Sequence, residues 1–193
     1  MAVLVIQVPP RPRLGSRAAG EPAALRAAAE FDYVFSADGR SVQSVGRAAP
    51  TGLPFLRGGA DSVVAVLADA DVAWHRIGVP KAPAARLRAA LAGVMEEALL
   101  DDDEALHFAL PPQATPGQPA WVAVLHKPWL QATLAALEAA GLVVDRVLPA
   151  MAPGGTAQGH FQAGLGDDAD AAPVLALVHG DGAAVVRSGG SLA

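Results

Sequence analysis

Cysteine is absent from the 193 residues, which excludes disulfides, Fe–S clusters, thiolate zinc sites and a cysteine nucleophile together. A chain without thiols fits a reducing compartment. Aromatic residues make up only 5%, while alanine fills 44 positions. Val and Leu must therefore supply the bulk of any core. Charged residues are also scarce, at 17% against about 25% in typical globular proteins. The charge that is present leans acidic: 14 Lys and Arg against 19 Asp and Glu, a net charge of -5. The basic footprint of a nucleic-acid binder is missing.

Long apolar runs are missing too. The opening run to Val8 has no basic start and stops at Pro9-Pro10, unlike a secretory signal. A long uncharged stretch, between Arg146 and Asp167, is broken by Pro149, Pro153, His160 and several glycines, so it does not form an apolar span of about 20 residues. No GxxxxGK[ST], GxSxG or HExxH motif occurs. The five histidines (75, 107, 126, 160 and 179) have no ligand-like local spacing. Of His75 and its neighbour Trp74, strand alternation turns one to the core and the other to the surface.

With 52% hydrophobic residues and a mean hydropathy of +0.34, the chain carries ample material for a packed core, and disorder is excluded. Val3–Val8 is β-branched and bounded by prolines, so it reads as a strand. Pro9–Arg13 reads as a proline-rich exit loop, and Pro22–Glu30 as a short alanine-rich helix. Strands are expected at Asp32–Phe35 and Ser41–Val45 around Asp38-Gly39, with a Pro/Gly-rich loop from Ala48 to Gly59. Val63–Leu67 and Val72–Ile77 read as a strand pair turning at Asp69-Ala70-Asp71.

Beyond Pro80 the period changes. Leu87, Leu91, Val94, Met95 and Ala98 recur at helical spacing, predicting a helix over Ala84–Leu100 opened by Pro83. A strand at His107–Leu110 follows, then a linker to Pro119 and a strand at Trp121–Leu125. A second helix starts at Pro128, with Leu130, Leu134 and Leu137 on one face, and closes at Gly141. With a strand at Val143–Leu148, the last three elements read as a βαβ unit. Met151–Ala172 has the composition of a loop. Val174–Val178 and Ala183–Arg187 form a hairpin across Gly180-Asp181-Gly182. A strand follows that turn where a dinucleotide loop would open a helix. A hairpin so near the end leads us to expect more fold beyond Ala193 in the parent protein.

One charge pattern stands out. Glu96, Glu97, Asp101, Asp102, Asp103 and Glu104 place six of the 19 acids in one short segment, at the end of the first helix and just past it. Lys81, Arg86 and Arg88 lie at that helix's beginning. Both placements oppose its macrodipole, each at a cost of about 0.3–1 kcal/mol when exposed. One reading is a solvated loop; the other is a surface kept acidic for a cationic partner. The segment lacks the turn glycine of an EF-hand loop.

The order of these segments resembles a known family. The strand Val72–Val79 ends at Pro80, and the helix 86–102 contains the pair Glu96-Glu97. Leu137-Glu138-Ala139-Ala140-Gly141-Leu142 is followed by the strand Val144–Ala150. Together with Leu4–Pro10 and Ser36-Ala37-Asp38-Gly39, these residues are similar to the cytoplasmic region of the type II secretion system protein L family (GspL), and more distantly to PilM and FtsA. The resemblance implies an α/β, actin-like (RNase H-like) fold of two lobes with a small inserted α/β subdomain. Residues 1–80 would form the first lobe, 81–148 the insertion, 149–172 a linker and 173–193 the start of an incomplete second lobe.

The resemblance also implies a function. The chain would be a scaffold at the cytoplasmic face of the inner membrane, carried there by a transmembrane helix outside this sequence. It would recruit the secretion ATPase GspE, join the platform proteins GspM and GspF, and form a homodimer. No catalytic, cofactor-binding or metal-ligating residue is assigned; the acidic six are the candidate protein-binding residues. The alternatives are an actin-like nucleotide-binding ATPase or kinase and a PilM-like pilus adaptor. Actin-like enzymes place an Asp before a glycine turn in two phosphate hairpins. Here the first hairpin strand ends Gln7-Val8-Pro9-Pro10, whose prolines lack the N–H groups that cradle phosphate, and Val178 stands where the second hairpin needs its acid.

Overall fold

The computed structural model describes residues 1–11, 30–54, 60–162 and 173–187. Eleven strands and two helices are assigned in these residues. β1 (Val3–Gln7), β2 (Phe31–Ser36), β3 (Ser44–Ala48), β4 (Ser62–Leu67) and β8 (Arg146–Pro149) form one sheet in the order β3-β2-β1-β4-β8. β2 runs antiparallel to β1 and β3, while β1, β4 and β8 are mutually parallel. This is the sheet order of an RNase H-like lobe, as the resemblance implies. β5 (Ala73–Gly78), β7 (Pro119–His126) and β6 (Leu106–Ala109) make an antiparallel second sheet. β9 (Gln158–Gln162), β10 (Val174–His179) and β11 (Gly182–Arg187) make a third.

One helix packs on the second sheet, and the other joins the second sheet to the first. α1 (Ala84–Met95) buries Leu91 and Met95 against Leu106, Val122 and Val124. α2 (Lys127–Ala139) buries Trp129, Leu130 and Leu137 in a larger cluster with Leu4, Ile6 and Val63 of the first sheet. β7 serves both cores. Val122 and Val124 face α1, whereas Ala123 and Leu125 join the cluster around α2, because alternate strand residues point to opposite faces. α2 ends where Gly141 adopts a φ of 87°. There the Leu142 N–H bonds the Leu137 carbonyl and the Gly141 N–H the Glu138 carbonyl, both at 2.9 Å, a Schellman closure with Leu142 fully buried behind it.

Several expectations need correction. β4 and β5 are not a strand pair: they lie in different sheets, separated by a 3-10 turn at Asp69–Asp71. The β7–α2–β8 run is not a βαβ unit, since the chain leaves the second sheet through α2 and re-enters the first beside β4. β8 is fixed there by Asp145, whose N–H bonds the Val63 carbonyl while its carboxylate accepts the Val63 N–H at 2.7 Å. The strand β9 lies in a segment that composition reads as loop. β3 begins three residues later than expected because Asp38 captures the Arg40 and Ser41 N–H groups at 2.8 Å each, so the chain folds into a turn before pairing resumes. Those bonds, the Ser41 N–H foremost, hold the Asp38 carboxyl well below the usual carboxylate range. α1 stops at Met95 and not Leu100, continuing as a 3-10 turn over Glu96–Ala98. The helix expected at Pro22–Glu30 lies outside the described residues, apart from its final Glu30.

Candidate functional site

All six acidic candidates are exposed. Glu96 and Glu97 sit in the 3-10 turn that ends α1, and Asp103 and Glu104 in a second such turn, Asp103–Ala105. Leu100, between them, is fully exposed. Arg88 anchors this segment to α1. Its guanidinium donates to the carbonyls of Asp103 and Leu106, lies 3.9 Å from the Asp103 carboxylate and covers the Phe108 ring at 5.8 Å. The cation that opposes the α1 dipole is therefore employed in holding the acidic loop.

The acids find a compensation that the sequence does not display. The turn Asp103–Ala105 packs against α2, and the negative charge of Asp101 acts on His126, the N-cap of α2. Carboxylates near a helix N-terminus are stabilising, so Asp101, unfavourably placed past the end of α1, lies favourably for the start of α2. The His126 Nδ1 accepts the Trp129 N–H at 3.2 Å, which requires an unprotonated nitrogen. Burial and then the charge of Arg11 push the His126 pKa down, and Asp101 opposes them. Burial, followed by Arg88 and Lys127, likewise lowers the His107 pKa.

The resemblance points to two hairpins as the phosphate loops of an actin-like fold. The Val8 N–H is consumed by the Val66 carbonyl at 2.8 Å, and Pro9 and Pro10 offer no N–H. At the β10–β11 turn the Asp181 carboxylate lies 3.2 Å from the His179 Nδ1, both exposed, while Val178 is buried. His179 is thus a turn histidine. Among the described residues no group of three His, Asp or Glu side chains could hold a metal ion. Trp74 packs on the larger core, and both it and His75 are half-buried.

A cluster that the sequence reading did not assemble lies where the first and third sheets meet. Asp69, buried at the end of β4, accepts the Met151 N–H at 3.1 Å and the Gln162 side-chain amide at 2.6 Å. The His160 Nε2 lies 3.4 Å from the same carboxylate and 2.7 Å from the Gln162 amide. Burial raises the Asp69 pKa, against the opposing charge of His160 and the hydrogen bonds of Met151 and Gln162. No local motif signals this junction, because Asp69 stands 82 to 93 residues from its partners.

No curated protein sequence matches the chain. Among solved structures, the chain is similar to the cytoplasmic domain of EpsL, an inner membrane component of the type II secretion system of Vibrio cholerae. The two share 20% identity and a TM-score of 0.64, covering 97% of this chain and 71% of that one. It is also similar to a chain of the PilM-PilN type IV pilus biogenesis complex, at 18% identity and a TM-score of 0.52, covering 96% of this chain and 61% of that one. At these identities the likeness speaks for a shared fold. No helix among the described residues is long and apolar enough to cross a membrane. The family model for type II secretion system protein L matches residues 23–152, more than half of the sequence; the chain belongs to that family.

Proposed function

We propose that this chain is a cytoplasmic scaffold at the inner membrane that recruits the secretion ATPase GspE through the acidic surface of Glu96, Glu97, Asp101, Asp102, Asp103 and Glu104. The observation that carries the surface is its construction: six exposed carboxylates on one segment, held by Arg88 and seated against α2. Family membership supports the role in secretion, and contacts to GspM and GspF, like self-association into a dimer, belong to the same platform role. The scaffold performs no chemistry of its own. Pro9, Pro10 and Val178 argue against nucleotide hydrolysis. On this reading the first sheet forms the first lobe, and the second sheet with α1 forms an insertion carrying the contact surface. The third sheet, β9 with β10 and β11, opens a second lobe.

Charge reversal tests this surface. Replacing Glu96, Glu97 and Asp101 by Lys, in a variant shown by circular dichroism to be folded, should weaken binding of the cognate ATPase and reduce its salt dependence. Unchanged affinity in the folded variant would sink the assignment.

A further inference from the structure

Asp69 follows β4 into the fold, its side chain only 8% exposed, while the His160 ring that faces it is 41% exposed and open to protons from solvent. The two oxygens of the carboxylate have separate duties. Oδ1 accepts the Met151 N–H, and Oδ2 accepts the Gln162 amide at 2.6 Å. The same amide nitrogen lies 2.7 Å from the His160 Nε2. An amide nitrogen carries two hydrogens and accepts none. One hydrogen goes to Asp69, so the other goes to the ring. Nε2 is then the bare nitrogen of a neutral imidazole whose proton sits on Nδ1. Turning the amide over would set its oxygen against the carboxylate, acceptor against acceptor.

A second proton on the ring breaks this arrangement. Nε2–H and the amide would meet donor against donor, with no acceptor between them. An acceptor within reach of the charged ring is Asp69 Oδ2, 3.4 Å away, and that oxygen is the one Gln162 occupies. A bond between two charged groups outweighs one from a neutral amide, so the ring takes Oδ2 and Gln162 is displaced. Gln162 is the last residue of β9 and pairs with Val174 at the start of β10. The other charged or titratable groups on the surrounding elements are Asp71 in the same 3-10 turn, with Arg11 on its carboxylate, His75 of β5 and Arg187 of β11. Among the described residues only His160 stands within ion-pair distance of Asp69.

We propose that Asp69, Gln162 and His160 form a protonation-sensitive latch between the first and third sheets. With His160 neutral, the amide bridges carboxylate and ring, and the end of β9 is held. With His160 charged, the ring pairs directly with Asp69, and the released Gln162 lets the end of β9 open. No member of the latch belongs to either apolar cluster around the helices, so release leaves those cores packed.

Nuclear magnetic resonance of the whole chain from about pH 8 to about pH 5, the interval in which imidazoles change charge, reads both halves of the latch. At the upper end the His160 ring should carry its proton on Nδ1. As that ring titrates, the protection of β9 amides from exchange, corrected for the intrinsic rate at each pH, should fall about tenfold. The midpoint should be that of His160 and not of His126, and β1 and β4 should keep their protection. Gln162→Met keeps the side-chain length and removes the bridge, so its β9 should be poorly protected at both ends of the range. The two readings on the parent chain decide the matter even where the variant does not fold. A neutral His160 protonated on Nε2, β9 protection indifferent to the His160 titration, or an unchanged response in Gln162→Met would overturn the proposal.

Discussion

The Gln162 side-chain amide donates to the Asp69 carboxylate at 2.6 Å across 93 residues of sequence, and this bond ties the third sheet to the first. Asp69 also stops the Met151 N–H, so one buried acceptor serves both the exit from β8 and the strand β9. Removing it strands donors in a partly dry site, at about 1–3 kcal/mol. Asp69→Ala should lower the midpoint of thermal unfolding by several degrees, with Asp69→Asn milder, since an amide oxygen still accepts.

Asp69 also predicts a pH dependence. Burial raises its folded pKa above the unfolded value of 3.8. Its contribution is therefore complete below that value and is lost as pH rises through the raised pKa. Relative to Asp69→Asn, the parent chain should lose stability across that interval. Urea unfolding of both forms at a series of pH values reads the difference; parallel curves would contradict it.

His126 behaves in the opposite sense. Its folded pKa is depressed below 6.5, so its contribution is present above that value and is lost as pH falls through the folded pKa. Protonation sets a donor against the Trp129 N–H and uncaps α2. His126→Asp should hold the cap across that range, while His126→Ala should cost about 1 kcal/mol at neutral pH. Stability measured by urea unfolding at pH 5 and pH 8 distinguishes the three forms.

Arg88 should govern the acidic segment more than the global fold. Arg88→Ala removes the donors to the Asp103 and Leu106 carbonyls. Residues 96–104 should then exchange amide protons faster and be cut sooner by proteases. Far-ultraviolet dichroism should change little. Unaltered local exchange would show that the segment is held by other contacts.

What could be read in the sequence was whatever local chemistry determines. β1 is announced by its β-branched run before Pro9, both helices by a proline at their start, and the β10–β11 hairpin by Gly180-Asp181-Gly182. β9 escaped because it is Gln-Gly-His-Phe-Gln with one apolar residue; it is held by pairing with β10 and by the grip of Asp69 on Gln162 and His160. The separation of β4 from β5 follows from the pairing of β5 with β7, about 40 to 50 residues on, and the return of β8 to β4 from partners 82 residues apart. The acidic segment was legible as a charge run. Its seat beside the N-terminus of α2 was not, because that depends on how the chain folds back between α1 and α2.

The recruitment of the ATPase is tested most directly by thermal unfolding of this chain with the N-terminal domain of a cognate secretion ATPase, and separately with Mg-ATP. At a concentration of about 100 times its Kd, a ligand adds about 2.7 kcal/mol, which is a shift of several degrees for a domain of this size. The scaffold reading predicts a shift with the ATPase domain and none with Mg-ATP. A shift with Mg-ATP alone would contradict it and return the protein to the nucleotide-binding members of its fold.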